Sequence, residues 1–170
     1  VFGFMIEKNS ENKAISKWKY RVVFQGNNVQ TQNFDWATFQ DQGSSPATME
    51  ASKAVTCYGC LEGNAVEQAD AEQAYIQTPM VGTETWIELP HDAWPDSWFH
   101  GDRDITRPKY HRPVVKMLRA LYGHPDAGTM WKDHCHKHLT NTGCILVDNW
   151  PSCYWHAELA LFLTVYVDDF

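Results

Sequence analysis

An apolar run that ends in two adjacent carboxylates limits this chain most: its last twelve residues read LALFLTVYVDDF. From Ala160 to Val165 only Thr164 is polar. The run is short, bulky and partly β-branched, which predicts a buried strand over residues 159–167 rather than a helix. Burying an unpartnered carboxylate costs several kcal/mol, so Asp168 and Asp169 belong where a cation or water meets them. Side chains alternate along a strand, and a regular strand cannot aim both acids the same way. One faces a site, and the other supports it or lies at a turn. On this pair alone two readings stay open, a divalent metal at the mouth of a sheet or a hydrophobic strand that ends in an acidic turn.

A length of 170 residues suits one domain with a sizeable core. A hydrophobic content of 44% with eight Trp excludes a disordered chain. No apolar run approaches the length of a membrane span, and the N-terminal VFGFMIEKNS does not read as a signal peptide. The chain starts without Met and stops just after the acidic pair, which reads as a fragment. Five cysteines, at 57, 60, 135, 144 and 153, make no even framework and suit reduced thiols in an intracellular protein. The net charge of −7 is unevenly spread. Residues 7–21 carry five cations against two acids, and residues 103–119 carry six against one. Residues 35–102 between them hold twelve acids and the single base Lys53. Two basic segments around an acidic middle suit a metal-dependent site acting on polyanions, and equally a segregated soluble surface.

Residues 17–26, KWKYRVVFQG, read as a strand with Lys17, Lys19 and Arg21 on one face. Such a face binds phosphate, or protects an edge strand from aggregation. Residues 27–46 read as loop. Thr48 is a candidate N-cap for a helix running to about Gly63, with Ala54, Val55, Tyr58 and Leu61 on one stripe. Cys57 and Cys60 fall within it. Their Cys-x-x-Cys spacing invites a zinc or redox reading, but with no second such pair they read as core or partly buried cysteines. His134, Cys135 and His138 could complete a metal site only through the fold. Residues 66–77 read as a short strand delivering Asp70, then a turn or helix carrying Ala74 and Tyr75. Trp86 to Pro90 form another short strand. Asp126 begins a helix to about Thr140 whose shared face is Trp131, Cys135, His138 and Leu139, with Gly143 ending it. Residues 144–147 and 152–156 are strand candidates, the second forming a hairpin with the terminal run. The order of elements predicts an α+β fold with helices on one face of an antiparallel sheet.

Taken together, several stretches resemble the reverse transcriptase domain of Ty1/copia-type retrotransposon polyproteins, collinearly from about Lys17 to Phe170. KWKYRVVFQG resembles the family's basic fingers strand, and Ser45-Pro46-Ala47 its Ser-Pro-Val element. Gln68 to Tyr75, QADAEQAY, resembles the first catalytic motif, and Trp86-Ile87-Glu88-Leu89-Pro90 the segment after it. Leu121-Tyr122-Gly123 with Trp131 resembles the Leu-Tyr-Gly-Leu-Lys-Gln…Trp block. Pro151-Ser152-Cys153-Tyr154 resembles Asp-Pro-Ser-Leu-Phe, and Tyr166-Val167-Asp168-Asp169 the second catalytic motif. One departure stands out: His124-Pro125-Asp126 replaces the family's Leu-Lys-Gln. That Gln lies near the incoming nucleotide in the family, where an acid would weaken triphosphate binding. Asp126 could instead cap the helix that follows it.

The resemblance implies a single partial domain, fingers-like over about 1–66 and 78–120 and palm-like over about 67–77 and 121–170. It implies two Mg²⁺ ions, with Asp70 and Asp168 as ligands and Asp169 as the supporting third acid. Lys19 and Arg21 would neutralise the triphosphate, Asp126 would lie near the nucleotide, and Tyr75 would lie under the sugar and reject a 2′-hydroxyl. The basic run from Arg103 to Arg119 would contact template or primer phosphates, or be a solvated loop. The implied partners are template-primer, deoxynucleoside triphosphates and the rest of a polyprotein with integrase and RNase H, with no membrane. The implied location is cytoplasmic, particle-associated or nuclear. Without a thumb the isolated fragment would be inactive. Two other classes are weighed against this one: a degenerate, non-catalytic remnant that at most binds nucleic acid, and a zinc-binding interaction module built on Cys57 and Cys60.

Overall fold

A computed structural model of the chain describes residues 1–39, 46–101 and 104–170. Ser45 of the Ser-Pro-Ala element and Arg103 of the basic run lie outside them. Two compact units alternate along the chain, one from 1–38 and 79–125, the other from 39–78 and 126–170.

In the first unit, the period-two pattern of residues 17–23 becomes strand β2 (Lys17–Val23), paired antiparallel with β1 (Phe2–Lys8). No strand was expected at the N-terminus, although Phe2, Phe4 and Ile6 alternate there. Lys17, Lys19 and Arg21 stand opposite Lys8, Ile6 and Phe4, while Trp18, Tyr20 and Val22 stand opposite Glu7, Met5 and Gly3. Both faces are largely exposed. Past the ribbon, Phe24 is buried and its N–H donates to the Tyr122 carbonyl at 2.7 Å. Gly123 closes that turn at φ +87, where a Cβ would lie 2.1 Å from the Phe24 oxygen, so the close approach requires glycine. The neighbouring His124 is buried, its ring 4.9 Å from Phe24 and its Nε2 3.2 Å from the Thr85 hydroxyl.

Strands β3 (Trp86–Glu88) and β6 (Val114–Lys116) pair antiparallel, as do β4 (Phe99–His100) and β5 (Asp104–Pro108). The rings of His91, Trp94 and Trp98, between β3 and β4, pack together with Phe99 at the start of β4, and the Trp94 indole donates to the Leu89 carbonyl at 3.0 Å. Arg112 and Lys116 of the basic run are held by acids. Arg112 forks onto Glu88, with its shortest N···O distance 2.8 Å, and Lys116 pairs with Glu84. The hydrogen bonds from Arg112 hold the Glu88 carboxyl below its usual range.

In the second unit, helix α1 (Met49–Gly59) starts where Thr48 accepts a hydrogen bond from the Ala51 N–H at 3.2 Å. It ends earlier than expected, with Cys60 as its C-cap and Leu61 exposed beyond it. A short helix α2 (Ala74–Gln77) and a long one, α3 (Ala127–Asn141), follow. Helix α3 closes with the two bonds of a Schellman motif, Cys144 N–H to Leu139 and Gly143 N–H to Thr140, around Gly143 at φ +100. The sheet is β7 (Ile145–Leu146), β8 (Cys153–His156) and β9 (Leu161–Thr164), antiparallel in that order. The expected hairpin of residues 152–156 with the terminal run is therefore present as β8–β9.

Helices on one face of the sheet were expected, and the packing corrects this. Cys153 and Phe162 pack with Ala47 and Ala51 of the α1 segment, whereas Tyr154 and Leu163 pack with Ala74 of α2 and Trp131 and Cys135 of α3. Since neighbours in a strand point to opposite faces, the sheet carries α1 on one side and α2 with α3 on the other. A second correction concerns thiols. Cys57 and Cys60 are exposed, while Cys135, Cys144 and Cys153 are buried. No helix among the described residues is long and apolar enough to cross a membrane.

The thiol arrangement predicts a stepwise titration. A chromogenic disulfide reagent should modify Cys57 and Cys60 rapidly in the native chain and the other three only after denaturation. Burial pushes the Cys135 thiol up to about 11, so it should lag even at mildly alkaline pH. A third fast thiol would contradict this packing.

Candidate active site

The apolar run β9 continues through buried Val165, whose N–H donates to the Ser152 carbonyl at 2.8 Å. The chain then reverses at once. Tyr166 and Asp169 exchange both backbone hydrogen bonds, at 2.8 and 3.0 Å, which leaves Val167 and Asp168 as a two-residue turn. Val167 has φ +58. A β-branched residue in that region is strained by about 1–2 kcal/mol, and such turns normally take Gly, Asn or Asp. A tertiary contact supports the strained peptide: the Trp131 indole N–H donates to the Val167 carbonyl at 2.5 Å.

The segment carrying Asp70 pairs with this hairpin. Ala69 and Phe170 exchange hydrogen bonds at 3.1 and 2.8 Å, and the Ala71 N–H donates to the Asp168 carbonyl at 2.7 Å. Asp70 and Asp169 are thereby directly opposed as a non-hydrogen-bonded pair. In such a pair the Cα atoms are about 4.5 Å apart and the side chains share one face. Asp168 is half-buried at the turn, while Asp70 and Asp169 are exposed. Asp169 faces Asp70 across the ladder, and Asp168 is the acid at the turn.

Beyond Ala71 the chain turns through Gln73 at φ +55 into α2, which presents Tyr75. Tyr75 packs against the core of Trp131, Tyr154 and Val165, and its phenol is raised first by burial and then by the charge of Asp168. It therefore lies between the core and the acidic turn. A half-open pocket of about 30 Å³ has Tyr75, Trp131, Cys135, Tyr154, Val165 and Val167 among its lining residues. Burial raises Tyr154 to about 12, with further contributions from Cys135, Cys144 and Cys153, and its hydroxyl lies 3.2 Å from His136 Nδ1.

Two segments thus place Asp70 opposite Asp169 with Asp168 at the adjoining turn, and all three are hard oxygen donors of the kind Mg²⁺ prefers. Among the described residues no three His, Cys, Asp or Glu side chains form a ready-made ion cage. Mg²⁺ commonly binds through only one or two carboxylates plus substrate phosphates, so the donor set fits the ion in that mode. Among the same residues, Cys57 and Cys60 acquire no third partner from His134, Cys135 or His138.

Lys19 and Arg21 are exposed on β2, in the other unit. Asp126 corrects an expectation. It precedes α3 but has αR backbone angles and makes no side-chain capping bond; its carbonyl instead accepts from the Met130 N–H at 3.0 Å. The hydrogen bond from Trp131 to the turn was missed. A buried indole needs an acceptor for its N–H, so the sequence signalled that a partner exists but not which one. The left-handed Gln73 had no sequence signal. No protein-family model matches the chain, and no solved structure matches it.

Opposed carboxylates repel. Asp70→Asn or Asp169→Asn should therefore raise the melting temperature of the metal-free chain, more at low salt than at high. In a double-substitution cycle the second change should add almost nothing, because the first already removes the repulsion. Additive, salt-independent effects would show that the two side chains do not face each other.

Proposed function

We propose that the chain is part of an RNA-directed DNA polymerase, the reverse transcriptase of a Ty1/copia-type retrotransposon. The reading is carried by one observation, the pairing of the Asp70 segment with the Asp168-Asp169 turn. Two segments that resemble the first and second catalytic motifs are far apart in sequence and adjacent in the fold.

In this reading Asp70 and Asp168 hold Mg²⁺, and Asp169, opposite Asp70, keeps the local field negative. Two bound Mg²⁺ ions would stabilise charge on the attacking 3′-oxygen and the leaving pyrophosphate of an in-line displacement. The strained turn, held by Trp131, keeps Asp168 at the tip with its backbone already ordered. Tyr75, beside Asp168 and backed by the core, excludes a 2′-hydroxyl by overlap. Lys19 and Arg21 attract the triphosphate and template-primer backbone, and Asp126 stands near the nucleotide in place of the family's Gln. Buried His124 gives the His-Pro-Asp departure a packing role as well. The rest of a polyprotein, with integrase and RNase H, completes the proposed enzyme.

The test is primer extension on an RNA template by a polypeptide that carries this chain and continues its reading frame. Asp70→Asn or Asp168→Asn should abolish Mg²⁺-dependent extension while the far-ultraviolet spectrum is unchanged. Extension that survives Asp168→Asn would overturn the assignment. Absence of extension from the unsubstituted polypeptide, with template-primer binding retained, would favour the non-catalytic remnant.

Sugar selection gives a second check. Overpacking costs of about 1–3 kcal/mol correspond to about one to two decades in rate. Tyr75→Val should therefore admit ribonucleotides about 10- to 100-fold better, with little change in deoxynucleotide KM. Parallel loss of both activities, with a lower melting temperature, would make Tyr75 a core residue only.

A further inference from the structure

Helix α3 carries metal-ligating side chains of another kind, imidazoles rather than carboxylates. His134 and His138 are one turn apart on the helix, and their rings meet edge to face with centroids 4.5 Å apart. His138 is exposed and His134 half-buried. The other candidates nearby are directed elsewhere. Cys135 is packed in the core, and His136 has its Nδ1 3.2 Å from the Tyr154 hydroxyl.

We propose that His134 and His138 form a two-imidazole site for a borderline divalent transition ion such as Zn²⁺ or Cu²⁺. Histidines at i and i+4 on one helical face are a recognised chelating pair. Metal–nitrogen bonds of about 2.0–2.1 Å place two adjacent ligand nitrogens about 3 Å apart, which rings at this separation reach by small rotations. Imidazole suits Zn²⁺, Cu²⁺ and Ni²⁺, whereas Mg²⁺ takes hard oxygen donors. The site therefore differs in ion preference from the carboxylate hairpin. Among the described residues no third His, Cys, Asp or Glu joins the pair. The location has a consequence for the turn. His134 lies 6.0 Å from Trp131, the residue whose indole holds the Val167 carbonyl. An ion here would clamp the stretch of α3 that begins one turn from that contact.

The experiment is titration of the purified chain with Zn²⁺ alone, in a Cys57→Ser/Cys60→Ser background because the two exposed thiols are competing zinc ligands. Calorimetry should show saturable binding of one ion, and the melting temperature should rise with Zn²⁺ concentration. Loss of a supporting group beside a metal commonly weakens binding 10- to 100-fold, and loss of a ligand should do at least as much. His138→Ala, at an exposed position, should therefore weaken Zn²⁺ binding by about tenfold or more without changing the metal-free melting temperature. His111→Ala, an exposed histidine of the other unit, should leave binding unchanged, and Mg²⁺ should not compete. Cu²⁺ should quench part of the tryptophan emission in the chain with both histidines and not in His138→Ala. No Zn²⁺ binding, or affinity that His138→Ala leaves within about twofold, would overturn the proposal; the outcome is independent of polymerase activity.

Discussion

The pairing of residues 69–71 with residues 168–170 is the interaction on which the acidic site depends. Three backbone hydrogen bonds hold it: Ala69 to Phe170, Phe170 to Ala69, and Ala71 to Asp168. Without them the acids would belong to two independent loops. With them, Asp70 and Asp169 are forced to oppose each other, and the next residues of the first segment lead into the turn that presents Tyr75. Asp168 depends on the same ladder, since its carbonyl is one of the acceptors.

Such a site opposes stability in two ways. Like charges face one another across the ladder, and Val167 holds a backbone conformation that its branched side chain disfavours. Both are local penalties that the surrounding packing must offset. Trp131 does so with one hydrogen bond to the strained peptide and with its ring in the core beneath. Strain and repulsion at one turn, stabilised by a core that touches it, are the usual condition of sites organised for binding before a ligand arrives. They do not identify the ligand; the hard oxygen donors and the resemblance supply that part of the proposal.

The charge pattern has a similar division between composition and geometry. Counted along the chain, residues 103–119 are strongly basic. In the fold, Arg112 and Lys116 are held by Glu88 and Glu84, across the β3–β6 ladder and its approach, so their charge is locally compensated. Lys17, Lys19 and Arg21 share one face of a ribbon with Lys8 rather than with an acid. The second group is thus the better candidate for attracting an anionic partner, although the first has more cations in sequence.

What the sequence by itself determined is what short-range physics controls. Period two specified β2, the short apolar run specified a terminal strand, and Thr48 capped α1. That terminal strand, β9, is only Leu161–Thr164 and part-exposed rather than a buried strand over 159–167. Gly143 ended α3 because only a residue tolerant of positive φ closes a Schellman motif easily. Adjacent Asp168 and Asp169 implied that one acid faces a site while the other supports it or lies at a turn, and the fold puts Asp168 at the turn. The tertiary structure decided what depends on partners distant in the chain. It set the opposition of Asp70 and Asp169, the helices on both faces of β7–β9, and the pairing of β1 with β2. It also decided that α1 joins the unit of the acidic hairpin, through Tyr58 against Trp155 and Phe162. Exposure of Cys57 and Cys60 and the absence of a side-chain cap from Asp126 belong with these, since an i, i+3 spacing or a Pro-Asp pair says nothing of what packs alongside. Local propensities act over a turn of helix or a few strand residues, whereas burial and register are set by whichever surfaces the whole chain brings together.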